Sequence, residues 1–301
     1  MKFVLEYPSE QPGAPADFLR PEVIREVAAR AEGAGFDAVA LSEHPAPSAK
    51  WRRNGGHETL DPIAALSFVA AVTERLRLLT NLYVLPFRNP YLSAKALGTL
   101  DIVSGGRLVA GVGAGYLRAE FAAVGVDHER RAALFDESLA ALRAIWTDPT
   151  QPVSGSGFAA PGEVWSQPPA QHPHPPIWIG GNGAAAIRRV AEHGDGWMPI
   201  IADARMAAAM RTSALETADQ FGAAVDRLRR RVRAAGRDPD RIEVQVVCPP
   251  LRFDDPDSVT RARAVLTDLR TRGATSALIH ADVTDPAATV AFLDRFGETF
   301  L

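Results

Sequence analysis

The chain has 301 residues, 47% of them hydrophobic and 23% charged, and a formal net charge of −3 at pH 7. This length and apolar content allow one large core, and α/β barrels of roughly 250 residues form single domains, so we expect one domain over residues 1–301. The small net charge argues against nucleic acid or a membrane surface as a partner. Because no apolar run predicts a transmembrane helix or a signal peptide, a cytoplasmic protein is expected.

Short β-branched runs alternate with helical patterns along the chain, which is typical of parallel strands joined by crossover helices. Helices are marked by apolar residues at three- and four-residue spacing, such as Val23, Val27 and Ala31. Several strand runs are apolar throughout, so we expect a closed (β/α)8 barrel, an α/β fold, rather than an open doubly wound sheet. The eight predicted strands are Lys2–Glu6, Ala38–Ser42, Arg77–Val84, Arg107–Val112, Pro176–Gly180, Gly196–Pro199, Ile242–Val247 and Ser276–His280.

Two long irregular segments follow the second strand and the fourth βα unit. The first, Pro45–Leu60, leaves the carboxyl end of the second strand and carries Trp51 and His57. The second, Thr147–Pro176, is rich in Pro, Gly, Ser and Gln. Loops of this length are usually functional or mobile, so the second segment is a candidate lid.

Polar residues stand where predicted strands end, and in a βα barrel these positions line the active site. The second strand ends in Ser42-Glu-His44, and a histidine there can exchange a proton near neutral pH. The alternative is that His44 only begins the loop and bonds to backbone. Asn81 lies in an apolar strand and needs a polar partner, which either a ligand or a neighbouring strand can supply.

Two glycine-rich stretches follow strands, Gly111-Val-Gly-Ala-Gly-Tyr116 and Gly180-Gly-Asn-Gly183. The first is a poor dinucleotide fingerprint, because Tyr116 stands where the third glycine is required. The second leads into Ala184-Ala-Ala-Ile187, and the free N–H groups of a helix start favour an anion such as phosphate. A tight strand-to-helix turn without a ligand is the alternative.

Several chemistries lack their sequence signatures. No His, Cys, Asp and Glu cluster has zinc spacing, and neither a Gly-x-Ser-x-Gly elbow nor a phosphate-binding Gly-Lys-Ser/Thr loop occurs, so no metal is predicted. The single cysteine, Cys248, excludes an internal disulfide. It lies in an apolar run and is expected to be a buried hydrophobic residue.

Six motifs occur in chain order: Leu41-Ser-Glu-His44, Leu85-Pro-Phe-Arg-Asn-Pro90, Leu100-Asp-Ile-Val-Ser-Gly-Gly-Arg107, Gly111-Val-Gly-Ala-Gly-Tyr116 with Glu120-Phe121, Pro175-Pro-Ile-Trp-Ile-Gly-Gly-Asn182 and Gly194-Asp-Gly-Trp197. Together they resemble the bacterial-luciferase-like flavin monooxygenase superfamily, specifically its branch of coenzyme F420-dependent oxidoreductases. The resemblance runs from Met1 to about Pro199 and is weaker beyond.

This resemblance implies a single luciferase-like TIM-barrel domain, a homodimer, a small-molecule substrate and coenzyme F420 across the barrel mouth. His44 would exchange the proton that accompanies hydride transfer. The implied cofactor contacts are Glu43, Asn81, Leu82, Gly113, Ala114, Gly115, Tyr116, Gly180, Gly181, Asn182 and Gly183. The last four of these would hold the phosphate of the cofactor. A non-proline cis peptide at Asn81–Leu82 is also implied. Sugar-phosphate dehydrogenases of the family carry an acid where Tyr116 stands, so that activity is not expected.

Three functions remain open from the sequence. F420 is a hydride carrier that reacts poorly with oxygen, whereas reduced FMN traps dioxygen, so the two cofactors imply different reactions. We expect an F420-dependent oxidoreductase. The alternatives are an FMN-dependent monooxygenase and a non-redox binding protein on the same barrel.

Overall fold

Eight parallel strands form a closed ring in a computed structural model that describes residues 1–301. They are β1 Lys2–Glu6, β2 Ala38–Leu41, β3 Arg77–Thr80, β4 Leu108–Gly113, β5 Ile177–Gly180, β6 Gly196–Met198, β7 Glu243–Val247 and β8 Ser276–Ile279. Each strand pairs with the next, and β8 pairs with β1, so the sheet closes. The predicted (β/α)8 barrel is confirmed.

Helices surround this ring. They are α1 Pro21–Ala34, α2 Ala49–Arg53, α3 Pro62–Val72, α4 Pro90–Val103, α5 Arg118–Ala123, α6 Arg131–Thr147, α7 Ala184–His193, α8 Ala204–Ala209, α9 Ala218–Ala234, α10 Pro256–Thr271 and α11 Pro286–Phe300. Several begin with an aspartate cap followed by proline, as at Asp61, Asp255 and Asp285. The aspartate side chain accepts a free N–H of the first helical turn, and the proline has no N–H that would need a partner. None is both long and apolar enough to cross a membrane.

The third predicted strand, Arg77–Val84, is divided in the structure. β3 ends at Thr80, the peptide between Asn81 and Leu82 is cis, and a two-residue strand, Tyr83–Val84, then pairs with β4. The cis bond that the family resemblance implied is therefore present. It lies at the carboxyl end of β3, on the rim where a barrel carries its active site.

The long segment Thr147–Pro176 follows α6 and leads into β5. It therefore reaches the amino-terminal end of β5, at the end of the barrel opposite the mouth. It packs along the outside of α4: the N–H of Val153 donates to the Tyr91 hydroxyl at 2.9 Å, and the Gln171 side chain donates to Asp101 at 2.6 Å. Its regular structure is one short hairpin of Ser154–Gly155 and Phe158–Ala159. These contacts give no support to its role as a lid over the mouth.

Apolar side chains fill the barrel interior, among them Val4, Ala40, Leu79, Trp178 and Leu278. Successive residues of a strand point to opposite faces, so positions two residues further on also face inward, one step closer to the mouth. Those positions are Glu6, Ser42, Asn81, Gly180 and His280. The floor of the mouth therefore carries polar side chains at the ends of β8, β1, β2 and β3. It carries no side chain at the end of β5, where Gly180 stands.

Gly111, inside β4, tests this packing. A Cβ atom there would lie 1.9 Å from the Thr80 carbonyl oxygen, so Gly111→Ala should lower the free energy of unfolding by about 3 kcal/mol or more. Gly33→Ala, in α1, is the control: nothing lies within 4 Å of its added methyl group, and alanine should stabilise the helix by about 0.5–1 kcal/mol. Urea unfolding measures both changes. Equal midpoints for the two variants would contradict the packing described.

Candidate active site

His44 follows β2 at the mouth and pairs with a buried acid. Its Nδ1 lies 3.2 Å from both carboxylate oxygens of Glu120 in α5, and the two side chains are only 10% and 3% exposed. A Glu120 carboxylate can accept a hydrogen bond from Nδ1–H and orient the ring, which would leave Nε2 to face a ligand. The sequence analysis named Glu120 only within a motif. Its separation of 76 positions from His44 gave no sign that the two meet.

Glu43, the neighbour of His44, faces the rim of β3. One carboxylate oxygen accepts the N–H of Val84 at 2.7 Å, and the other accepts a hydrogen bond from the Arg88 guanidinium. Burial raises the pKa of this carboxyl group, and Arg88 and the Val84 N–H oppose the rise. Both carboxylate oxygens of Glu43 already have partners, so Glu43 fixes the end of β2 against the short strand Tyr83–Val84 that follows β3. Its contact with a cofactor stays a prediction.

Aromatic side chains cover His44. Its ring centroid lies 4.6 Å from that of Trp51, 5.7 Å from His57 and 6.0 Å from Tyr116. The indole N–H of Trp51 donates to the Tyr116 hydroxyl at 3.2 Å, which joins the loop after β2 to the loop after β4. Gly56 leaves room for the indole, because a Cβ atom there would lie 2.3 Å from the ring. The loop Pro45–Leu60 therefore closes over His44, and Tyr116 belongs to the cover.

Leu82 accounts for two of the predicted cofactor-binding glycines. A Cβ atom at Gly113 would lie 2.8 Å from Leu82 Cδ1, and one at Gly180 would lie 2.4 Å from the same atom. Gly115 adopts a φ of +73°, a backbone conformation that residues with a side chain rarely adopt. Packing accounts for Gly113 and Gly180, and backbone conformation accounts for Gly115; the contact of these three glycines with a cofactor stays a prediction. Ala114, between them, is half-buried.

Gly183 caps α7 at the other side of the mouth and borders open space. A Cβ atom there would meet only the Ser213 hydroxyl oxygen, at 3.8 Å, and no side chain caps the helix. The first N–H groups of this ten-residue helix are therefore available to an anion. Gly181 adopts a φ of +109°, and its carbonyl accepts the Trp197 indole N–H at 2.8 Å. We call Gly181, Gly183, Ser213 and the start of α7 the cradle.

Asn182, within this run, holds the cradle together. Its side-chain amide donates to the carbonyl oxygens of Ile200 and Ser213 at 2.7 and 2.9 Å, and its Oδ1 accepts the Ile200 N–H at 2.9 Å. Its own N–H donates to the Thr212 hydroxyl at 2.8 Å. Asn182 therefore positions the loop that carries Ser213. Thr212 and Ser213 could not be linked to this run from the sequence, because they lie about 30 residues further along the chain.

A second buried acid, Glu10, lies just after β1 beneath the cover. It accepts hydrogen bonds from the N–H of Ser42, at 2.9 Å, and from the Ser42 hydroxyl, and its Oε1 has no partner. Burial raises the pKa of Glu10 to about 8, whereas burial lowers that of His57, whose Nδ1 lies 4.0 Å away. Glu10 is therefore largely protonated near neutral pH. No sequence motif pointed to Glu10.

This buried acid makes stability depend on pH. The folded chain keeps the Glu10 proton up to about pH 8, while an ordinary glutamate loses it near pH 4.5, so the stability that Glu10 contributes at low pH falls as pH rises between these values. Because of Glu10, the free energy of unfolding of the wild type should fall by roughly 1.4 kcal/mol per pH unit between these values. Glu10→Gln should abolish this fall. Urea unfolding across the range, with the exposed-site variant Glu74→Gln as control, measures the difference. Parallel profiles for wild type and Glu10→Gln would contradict it.

Known proteins with similar sequences include an uncharacterised protein of Mycobacterium tuberculosis, 36% identical over 46% of this chain and 50% of that protein. An F420-dependent glucose-6-phosphate dehydrogenase of Amycolatopsis mediterranei is 30% identical over 62% of this chain and 55% of its own length. The chain thus spans about half the length of the curated relatives it matches.

Solved structures that share the fold over the whole chain include the following two. The monooxygenase RslO1 from Streptomyces bottropensis superposes with a TM-score of 0.77 at 22% identity, covering 100% of this chain and 98% of that one. An F420-dependent secondary alcohol dehydrogenase, in complex with an F420-acetone adduct, superposes with a TM-score of 0.74 at 18% identity over the same shares. A family model described as luciferase-like monooxygenase matches residues 1–281. The chain therefore belongs to the luciferase-like monooxygenase family.

Proposed function

We propose that the protein is an F420-dependent oxidoreductase, which transfers a hydride between the deazaflavin and a small organic substrate. The observation that carries this proposal is the His44–Glu120 pair, which shares one barrel mouth with the open cradle at Gly183. The relative and the solved structure named as F420-dependent enzymes support it. The single domain, the homodimer and the cytoplasmic location that the sequence analysis predicts are part of the same proposal.

The cradle fits the phosphate of such a cofactor. The space that a Gly183 side chain would fill is bordered by free helix N–H groups and by the Ser213 hydroxyl, all of them donors to an anion. Asn81 and Leu82 would contact the ring from β3. When bound, F420 supplies a hydride carrier, and the protein supplies orientation and proton exchange.

His44 performs the proton exchange in this proposal. Glu120 accepts the Nδ1–H and holds the ring, so that Nε2 gives a proton to the substrate oxygen in reduction and takes one from it in oxidation. Trp51 and Tyr116 cover the ring and exclude water from it.

An FMN-dependent monooxygenase is the second candidate. The cradle fits the phosphate of FMN equally, and the monooxygenase RslO1 shares the fold. A non-redox binding protein is the third, but it gives the buried His44–Glu120 pair no task. F420 is favoured because the resemblance of the strand-end motifs is to the F420-dependent branch of the family.

Gly183→Val tests the cradle. The added side chain fills the anion space without backbone strain, unlike a substitution at Gly181, whose φ is +109°. F420 should bind at least about tenfold more weakly, a loss of about 1.4 kcal/mol, while the melting temperature falls only slightly, because valine is a poorer N-cap than glycine. Fluorescence titration measures the affinity. The matched control is Gly33→Val, at an open position in α1; equal affinities for both variants would place the phosphate elsewhere.

His44→Ala tests the proton exchange. Because a proton donor in the chemical step contributes about 10²–10⁴-fold to rate, this variant should bind F420 normally and lose turnover by that factor. Glu120→Gln should also lower kcat, whereas Glu129→Gln, an exposed acid near the same helix, should not. Steady-state kinetics on a ketone screened with reduced F420 measures the changes. Full activity in His44→Ala would remove it from the mechanism.

A further inference from the structure

Two neighbouring helices on the outside of the barrel carry almost no charge. α3 contains no Asp, Glu, Lys or Arg, and α4 contains only Lys95 and the fully buried Asp101. Other outer helices differ: α1 exposes Arg25 and Glu26, and α9 exposes Arg227. A surface helix normally turns a charged side to water, and a helix that is apolar on all sides is normally covered on all sides. The outer sides of α3 and α4 therefore lack the covering that their sequences indicate.

These outer sides form one apolar surface. α3 and α4 are adjacent, and on each helix the outer residues recur at intervals of three, four or seven positions, which places them on one side. Leu92 is 64% exposed and Val103 is 58% exposed, which is uncommon for such large apolar side chains. We call this surface the α3–α4 face; its residues are Ala64, Phe68, Ala71, Leu92, Thr99 and Val103.

Trp165 adds a large aromatic side chain close to α4. It is 71% exposed and belongs to the segment that packs along the outside of this helix. Two residues further on, the carbonyl oxygen of Gln167 lies near the middle of α4, 4.0 Å from where a Cβ atom of Gly98 would be. Tryptophan is among the residues that contribute most to binding between proteins.

The size of the α3–α4 face suits the centre of a protein interface. α3 has 11 residues and α4 has 14, so the helices are about 16 Å and 21 Å long, and side by side they are about 20 Å wide. A standard interface takes about 800 Å² from each partner, and its centre is apolar while its rim is polar. A face of roughly 20 Å by 20 Å matches such a centre.

A second copy of the chain is the occupant that these residues fit. In a two-fold dimer one surface meets itself, so charged groups near the axis would meet groups of the same sign. The α3–α4 face avoids this repulsion, because Lys95 is the only exposed charge on the two helices and its long side chain can carry the ammonium group to the edge of a contact. An acidic or basic partner, by contrast, would find almost no charge to pair with.

We propose that the α3–α4 face packs on the same face of a second copy, so that four helices form the core of the homodimer interface. The inference deepens the proposed function, of which the homodimer is a part, by assigning the surface that the two copies share. α3 and α4 lie on the side of the barrel, whereas His44 and the cradle lie at its mouth. The interface therefore leaves both mouths free for cofactor and substrate.

Sedimentation velocity on charged variants tests the face. The wild type should have twice the chain mass of 32.3 kDa. Leu92→Glu should raise the dissociation constant of the dimer at least about hundredfold, because it places a carboxylate in the apolar contact twice per dimer. Glutamate suits the first turn of α4, so the variant should fold normally. The matched control is Val265→Glu, which changes a 40% exposed apolar residue of α10 and should stay dimeric.

Cross-linking tests the same face without adding charge. Cys248 is buried, so a cysteine introduced on the surface is the thiol that reacts. Thr99→Cys places that thiol on the exposed side of α4, and a short bis-maleimide should join two chains into a covalent dimer. Val265→Cys, on α10, should remain a single chain under the same conditions. Equal cross-linking of the two variants would overturn the assignment of the face.

The outcomes separate this inference from the proposed chemistry. A monomeric wild type, or a Leu92→Glu variant that dimerises as tightly as the wild type, would overturn the inference. F420 should bind the wild type and the Leu92→Glu monomer with equal affinity, since the mouth lies apart from the face. Absence of F420 binding to a dimeric wild type would overturn the proposed cofactor and leave the interface standing.

Discussion

The pairing of β8 with β1 closes the barrel, and the arrangement of the site depends on that closure. In a closed parallel ring every strand ends on the same rim, so residues distant in sequence become neighbours. Glu6 and His280 meet because the first and last strands are adjacent. His44, Leu82 and Gly183 likewise come from separate βα units, and only the ring holds them around one mouth.

Buried acids define the chemistry of that mouth, and each is held in a different way. Glu43 is bound by Arg88 and a backbone N–H, Glu120 faces His44, and Glu10 accepts two hydrogen bonds from Ser42 and has one oxygen without a partner. Burial disfavours the charged form of Glu10 more than its hydrogen bonds from Ser42 favour it, so this carboxyl group keeps its proton to a higher pH than an ordinary glutamate. The mouth thus contains both a protonated acid and paired carboxylates within a few residues of the strand ends, as proton-exchanging sites do.

Much of this architecture could be predicted from the sequence. Apolar runs and helical spacing located all eight barrel strands, and the order of motifs indicated His44 as a site residue. Periodicity reports which face of an element is buried, but it does not report which side chains from different elements meet. Periodicity therefore could not predict that His44 pairs with Glu120. It also could not predict that Leu82 packs on Gly113 and Gly180. Those glycines were interpreted as ligand contacts; packing against Leu82 accounts for them as well, and their contact with a cofactor stays a prediction.

The central claim is that this cradle and this mouth bind F420. Its most direct test is a pair of titrations of the purified protein, one with F420 and one with FMN, each followed by the fluorescence of the ligand. The account predicts that F420 binds at least about tenfold more tightly, a difference of about 1.4 kcal/mol. Equal affinities, or tighter binding of FMN, would contradict it and favour the monooxygenase.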